Sequence, residues 1–365
     1  MTVYVVPIEP IDTRYTRQWY SHIPQLLDTA GVDQVVIIEG DDVPAQPTPG
    51  AFLDFGATNI YKSSQLMAIS DLFRKGQVKA GDKFLYTDAW NPTVIQLKYM
   101  SSLLNIPVEI HGMWHAGSYD PQDFLGRLVG DAAWVRNAEG SMFYCYDVNW
   151  FATEFHAKLM LNTLFSETDI DVWNEWHKNK LGKVQLTGWP MDYLYDVLEP
   201  YATLEKKPQI VFPHRVAPEK QLEIFKDLAA AMPQYEWIVC QEQPLTKDQY
   251  HTILGESAMM FSANLQETYG ISTIEALICN AFPMVPDRLS YKEMYLNDFK
   301  YPSFWTKDWD NYIRNKDHVI EYINTNMQKI LNKDNELISK MQDQLAKLRT
   351  FTSANPLIDS LSTST

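Results

Sequence analysis

Cysteine is scarce in this chain, and the three present, Cys145, Cys240 and Cys279, are far apart and each sits in an apolar context. That excludes a disulfide framework and a zinc-ligand spacing, and leaves buried thiols as the expectation. Long hydrophobic runs are missing too. No stretch approaches the roughly 20 apolar residues of a membrane-spanning helix, and the start MTVYVVPIEP lacks the basic region and cleavage site of a secretory signal. A soluble, cytoplasmic protein with no membrane partner is expected, in the host cytoplasm if the gene is a phage's. Positive charge is short as well: 31 Lys and Arg face 46 Asp and Glu, a net charge of −15. Proteins held to nucleic acid through phosphates usually carry a basic face, so this balance argues against tight nonspecific DNA or RNA binding. A local exception lies between Gly56 and Leu104, where Lys62, Arg74, Lys75, Lys79, Lys83 and Lys98 outnumber Asp71, Asp82 and Asp88. A solvated helix face explains that excess equally well. No solenoid-type repeat is present.

What is there is material for two ordinary domains: 365 residues, 45% of them hydrophobic. Strand-like and helix-like segments alternate from the start. Val3 to Pro7 and Gln34 to Glu39 read as strands of nearly unbroken apolar character, which suits a parallel sheet covered on both faces. Thr16 to Ala30 reads as a helix and Asp41 to Gly50 as a loop. A helix over Tyr61 to Arg74, a strand over Lys83 to Thr87, a helix over Pro92 to Leu104 and a strand over Val108 to His111 follow. Next come a helix over Pro121 to Arg136, a strand over Met142 to Cys145, a helix over Trp150 to Phe165 and a strand over Lys183 to Leu186. This is a doubly wound α/β pattern. It breaks between Gly188 and Pro208, around prolines 190, 200 and 208, where a domain boundary is expected. A second alternating series follows, with strands at Gln209 to Phe212 and Tyr235 to Cys240. The resulting division is a first domain over 1–195, a second over 208–315, helices over 316–358 that cross back to brace the first domain, and a disordered tail over 359–365. Two Asp-x-Asp triplets, at Asp169 and Asp171 and at Asp308 and Asp310, follow no strand; both read as helix starts, and no metal is predicted.

Chemistry concentrates in residues 258–295, AMMFSANLQETYGISTIEALICNAFPMVPDRLSYKEMY. The stretch reads as strand, loop, helix, strand, with Gly270 at the helix start between Glu267 and Glu275. A helix N-terminus presents free N–H groups and about half a positive charge, so Gly270, Ile271 and Ser272 can receive a phosphate oxygen. Glycine lets the phosphate approach the backbone. A carboxylate before the helix can grip sugar hydroxyls, and one inside it can accept from ribose hydroxyls. An ordinary helix–turn–strand of an α/β protein is the alternative. Further upstream, VFPHRVAPEKQ places Arg215 and Lys220 five residues apart just after a strand, with Pro218 suited to a helix start. Such cations can clamp a diphosphate and stabilise a departing nucleotide. A solvated basic pair is the plainer reading.

Arg215 and Lys220 followed by QETYGISTIEAL resemble the donor half of GT-B glycosyltransferases of the retaining, family-4-like group, with its basic pair, glutamate, aromatic-Gly and second glutamate eight residues on. The resemblance covers about 208–295 and includes an altered "G-x-P-V" turn, Asn280-Ala281-Phe282-Pro283, and Glu293. It implies a GT-B fold of two Rossmann-like domains facing a cleft. It also implies a donor site in which Arg215 and Lys220 hold the diphosphate, Glu267 meets the transferred sugar, Tyr269, Gly270, Ile271 and Ser272 line the donor, and Glu275 binds the ribose. The loop from Glu9 to Thr16 lacks the glycine pair that many members place after the first strand, so contacts there differ. VEIHG resembles the family's strand-to-histidine element, which implies that His111 points into the cleft and contacts the donor sugar. His115, Trp114, Tyr15 and Asp88 are candidates for the acceptor side; Asp88 is equally suited to capping the next helix. His111 and His115 as a zinc pair lack a third ligand.

The reaction implied is metal-independent transfer of a hexose or pentose with retention, without a cofactor, from a nucleotide sugar. No residue reads the base legibly; a UDP-sugar is preferred to a GDP-sugar. ICNAFPMVPDRLSYKEMY and FPHRVAPEKQ are similar to the subset that modifies nucleic-acid bases, in bacteriophage DNA or at the queuosine base of tRNA. The aromatics Tyr15, Trp19, Tyr20, Trp90, Trp114 and Tyr119 suit stacking on a flipped base or on a sugar, as well as a core. A hydroxymethylated phage DNA base is therefore the expected acceptor, with DNA as partner. Carbohydrate, small-molecule or tRNA acceptors are alternatives, as is another class: a nucleotide-sugar sensor or an epimerase of the same fold.

Overall fold

The apolar runs of the first half become six short parallel strands, β1 (Thr2–Val6), β2 (Gln34–Ile37), β3 (Lys83–Tyr86), β4 (Glu109–Met113), β5 (Val148–Phe151) and β6 (Lys183–Leu186), in the order β2-β1-β3-β4-β5-β6. The second half supplies β7 (Lys207–Phe212), β8 (Glu236–Val239), β9 (Ser257–Phe261), β10 (Phe282–Pro286) and β11 (Lys300–Tyr301), also parallel, in the order β11-β10-β9-β7-β8. This is a computed structural model; it describes residues 1–12, 14–42, 54–130, 132–178 and 182–363. Two units result, Met1–Pro190 with Ala354–Thr365, and Met191–Ser353.

Each unit has its own core. In the first, Phe84, Ile110 and Trp114 pack with Met142, Phe143 and Met160. In the second, Ile210, Phe212, Met259 and Phe261 pack with Tyr312, Val319, Ile323 and Met327 of the long helix Trp309–Leu331. Strands β3, β5, β9 and β10 are buried along their whole length, as expected for parallel strands with helices on both faces. Each sheet reverses its winding once. The chain steps from β1 outward to β2 and then returns to β3 on the other side of β1; β7, β8 and β9 repeat the pattern. Ligands in such sheets bind beyond the C-terminal strand ends at this reversal, which singles out the loops after β1 and β3 and after β7 and β9.

Several expectations need correction. The strand placed at Met142 to Cys145 is the end of a helix, Ala133–Cys145, and Trp150 lies in β5 rather than opening a helix. The segment SMFYCYDVNWFA is mostly apolar and aromatic, with no clear 3.6- or 2-residue spacing, so periodicity could not separate helix from strand. The broken linker between Gly188 and Pro208 contains a helix, Tyr193–Ala202, with Pro200 inside its last turn. In place of a disordered tail from Asp359, the helix Asn355–Ser362 buries Leu357, Ile358 and Leu361. Ser360 O accepts from the Nζ of Lys83 at 2.7 Å, so this last helix is tied into the first unit. The loop expected over Asp41 to Gly50 lies, beyond Asp42, outside the described residues. Both Asp-x-Asp triplets do begin helices: the Asp169 carboxylate accepts from the backbone N–H of Asp171 and Val172, and that of Asp308 from Asn311.

Candidate functional site

After β7 the chain passes through His214 and Arg215 into a single turn, Pro218–Lys220; after β9 it loops through Asn264 and Glu267 into the helix Ile271–Ile278. Leu265 N donates to Glu219 O at 2.8 Å and ties the two loops together. Lys220, 4% exposed, places its Nζ 3.2 Å from Glu267 Oε2 and donates to Gln266 O at 2.5 Å. Asn264 Nδ2 adds a second contact to Glu267 Oε2, at 3.3 Å, and also donates to the Tyr291 hydroxyl at 2.9 Å. Arg215 is bonded to the Glu219 carboxylate. Gly270 has φ +84°, and a Cβ there would meet Glu267 Cγ at 3.3 Å and Cδ at 3.4 Å. Glycine is thus required both by the left-handed backbone and by the packing of the glutamate. No side chain caps the helix that follows, so the N–H groups at its start have no side-chain acceptor. Ser272 Oγ lies 3.1 Å from His214 Nδ1, and burial, with Lys220 nearby, pushes that imidazole down to about 3. One turn further along, Glu275 accepts from the Tyr250 hydroxyl at 2.8 Å, and burial pushes its carboxyl up to about 7.

Arg215 and Lys220 after β7, and Glu267, Gly270, Ile271, Ser272 and Glu275 after β9, all lie beyond the C-terminal ends of two adjacent strands of the second sheet, where Lys220 meets Glu267. Tyr269 is the exception: its ring is buried and its hydroxyl donates to Phe351 O at 2.8 Å, so it anchors the loop rather than lining it. Asn280 adopts φ +61° and donates to Ala202 O. Asparagine tolerates this conformation better than most residues, which accounts for its place where the resembled family has glycine.

In the first unit His111 does not face a cleft. It is fully buried on β4, with its ring parallel to that of Trp150, its Nδ1 accepting from Trp150 Nε1 at 3.0 Å and its Nε2 2.9 Å from Glu109 Oε1. Trp114 is likewise core, its Nε1 donating to Asn149 at 2.7 Å. Sequence could not show this, because in a parallel sheet covered on both faces a side chain is buried whichever face it takes. The residues that do meet are Tyr15, His115 and Asp88, at the C-terminal ends of β1, β4 and β3. The Tyr15 hydroxyl lies 3.3 Å from His115 Nδ1, and His115 Nε2 donates to Thr87 O at 2.7 Å, which places a proton on Nε2. Burial lowers the affinity of this ring for a proton, while Asp88 opposes. Trp19 and Trp189 back the ring at centroid distances of 5.3 Å each. Asp88 accepts from Trp90 N rather than capping the helix Thr93–Leu103. Of the aromatics offered for stacking, Trp19, Trp114 and Tyr119 are buried. The basic excess between Gly56 and Leu104 is not one face either. Lys83 is buried, Lys98 pairs with Asp147, and Arg74 and Lys75 both pair with Asp71.

No protein-family model matches the sequence, and no curated protein matches it. Solved structures do. The chain is similar to an α,α-trehalose-phosphate synthase (UDP-forming) from Burkholderia vietnamiensis, at 11% identity over 99% of each chain, with a TM-score of 0.58. It is similar to sucrose-phosphate synthase from Thermosynechococcus elongatus at 9% identity, over 99% of this chain and 97% of that one, with a TM-score of 0.55. It also matches the pneumococcal O-GlcNAc transferase GtfA at 10% identity and a TM-score of 0.47, spanning 82% of this chain but 59% of that one. The fold is GT-B.

In this GT-B chain some of the residues that shape the site carried no sequence signal. Arg288, at the end of β10, donates to Ala263 O, Asn264 O, Ser303 O and Thr306 O and so fixes the loop that presents Asn264 and Glu267. Gln221, at φ +51°, bridges Ala263 O and Thr306 O. Asn264 itself stands three residues before Glu267, a spacing that could have marked it as a partner. Among the described residues no helix is long and apolar enough to cross a membrane.

Proposed function

We propose that the protein is a retaining glycosyltransferase that moves a hexose or pentose from a UDP-sugar to a hydroxyl acceptor. The observation that carries this reading is the junction after β7 and β9. There a buried lysine, an arginine, an uncapped helix start with a left-handed glycine, and a carboxylate held by Lys220 and Asn264 converge. In this reading the diphosphate exchanges with the carboxylate partners of Arg215 and Lys220, so its charge is met by cations and helix N–H groups in place of a metal. The same groups stabilise the leaving nucleotide as the glycosidic bond breaks. Glu267, released from Lys220 but still held by Asn264, accepts from sugar hydroxyls and is assigned no nucleophilic role. Front-face attack by the acceptor hydroxyl, with its proton passing to the departing phosphate, fits that arrangement. Preference for UDP is supported by the likeness to the UDP-forming synthase of Burkholderia vietnamiensis.

The acceptor side is assigned to Tyr15, Asp88 and His115. We propose a hydroxymethylated base of bacteriophage DNA as acceptor, supported by the similarity of 278–295 and 212–221 to base-modifying transferases. A small carbohydrate is the second reading, favoured by the charge of −15 and by the dispersal of the basic residues between Gly56 and Leu104. Mass spectrometry of nucleosides from DNA and tRNA of cells expressing the protein, with the hydroxymethylated base present, decides between them. A hexosyl or pentosyl adduct is expected on DNA; unchanged nucleosides overturn the base assignment. For the donor site, Lys220→Ala and Glu267→Ala are each expected to lower turnover by about 10²-fold or more. Near-normal turnover of both would remove the site. Incubation with donor alone separates the other classes: slow release of nucleotide supports a transferase, an altered sugar an epimerase, and binding without turnover a sensor.

A further inference from the structure

The helix Lys247–Glu256 carries Tyr250, and the helix Ile271–Ile278 carries Glu275. Both end at one side chain. Lys206 Nζ donates at 2.6 Å to Gly255 O in the last turn of the first helix, and at 2.6 Å to Cys279 O, the carbonyl that closes the second. A cation shared by two helix C-termini satisfies carbonyls that lack intrahelical partners and interacts favourably with both dipoles. It also fixes how the two helices lie against each other, and hence where the Tyr250 hydroxyl meets Glu275 Oε2, at 2.8 Å.

We propose that Tyr250 is a positioning residue for nucleotide recognition: within the helix pair that Lys206 ties together, its hydroxyl holds one oxygen of the Glu275 carboxylate and leaves the other to accept from the donor's ribose hydroxyls. This rests on the donor-site reading above. The chemistry suits a fixed donor. Burial and the neighbouring Glu275 keep the Tyr250 phenol well above its ordinary range, so it stays protonated and donates at every working pH. The groups that face Glu275 are Tyr250 and Lys247 on the adjacent helix, Cys240 in the turn after β8, and Cys279 on its own helix, with Lys206 beside Cys279. Burial holds the Glu275 carboxyl up, while the Tyr250 bond and Lys247 pull it down. Removing the hydroxyl therefore shifts the ionisation upward as well as loosening the carboxylate.

The test uses the full chain and calorimetric titration with two probes, UDP and inorganic pyrophosphate, from pH 5.5 to 7.5, below the value of about 8 to which burial lowers Lys206. Wild type is expected to bind UDP more tightly as pH rises and Glu275 ionises. Tyr250→Phe is expected to weaken UDP about tenfold at pH 7, the size of one hydrogen bond to a charged group, to move the pH midpoint upward, and to leave pyrophosphate, which has no ribose, unchanged. In turnover the donor KM rises while kcat at saturation holds. Lys206→Met is expected to give the same pattern. Undiminished pyrophosphate binding shows that each variant is folded at the site. The proposal is overturned if Tyr250→Phe binds UDP with wild-type affinity and pH profile, or if UDP and pyrophosphate weaken in parallel, as a general loss of structure would produce. If wild type binds pyrophosphate but no UDP, the donor reading falls and takes this proposal with it.

Discussion

His156 and His214 are buried, and burial pushes both imidazoles down to about 3, whereas Glu275 is pushed up to about 7. These shifts act on stability in opposite senses. A histidine whose folded pKa is depressed resists protonation in the native state, so its contribution is full above about 6.5 and is lost as pH falls from there toward 3. For two such groups the ceiling is about 5 kcal/mol each. Glu275 favours its neutral form in the folded state; its contribution is full below its ordinary value of 4.5 and is lost as pH rises through about 7, with a ceiling of about 3 kcal/mol. His115, whose proton affinity is also lowered, adds to the histidine side. The transition of the first unit, which holds His156 and His115, is therefore expected to move to lower temperature between pH 7 and pH 5, while in the second unit His214 and Glu275 largely offset each other. Glu275→Gln is expected to bring out the same fall in the second unit's transition, because it removes the group that opposes His214 there. Scanning calorimetry across this range tests it, and a flat profile in wild type would count against the buried neutral histidines.

At the scale of elements, the helix start at Gly270 and the final helix make separate demands. Gly270→Ala forces a side chain into a left-handed backbone and into Glu267 Cγ at 3.3 Å. The backbone cost is about 1–2 kcal/mol, but the larger effect is expected on turnover, since the displaced group is the carboxylate beside Lys220. A drop in kcat/KM that exceeds the stability loss seen in urea titration is the expected outcome. Truncation after Ser353 removes Leu357, Ile358 and Leu361 from the first unit and leaves the Lys83 ammonium without the Ser360 carbonyl. Burial of three such side chains is worth about 5 kcal/mol, so the truncated chain is expected to lose its first transition in urea, or to be insoluble. Both elements were read differently from their residues. The helix start was legible because glycine, a following amphipathic run and flanking carboxylates form a local pattern. The final helix was not, because NPLIDSLS is short and polar enough to pass for a tail until the first unit supplies a surface for its leucines.

For the whole molecule, two units with separate cores predict two thermal transitions, of which UDP should raise only the one belonging to Met191–Ser353. At one hundred times Kd the gain is about 2.7 kcal/mol, readable as a shift of that transition alone; a shift of the other unit's transition would relocate the site. Strand and helix alternation, apolar strands suited to a parallel sheet, and the spacing from Arg215 and Lys220 to Glu267, Gly270 and Glu275 were determined by the sequence itself, because each depends on residues near in the chain or on loops at the ends of adjacent strands. What only the tertiary structure decided depends on which face a side chain takes and on what reaches it from far away. His111 was claimed by Trp150 and Glu109 and Trp114 by Asn149, leaving His115 to meet Tyr15. Tyr269 was claimed by Phe351, and Arg288 gathered carbonyls from two distant loops. The basic residues between Gly56 and Leu104 were dispersed in the same way, Lys83 to Ser360 and Lys98 to Asp147. Charge and spacing are properties of the chain; orientation and partnership arise only when the sheet twists and packs.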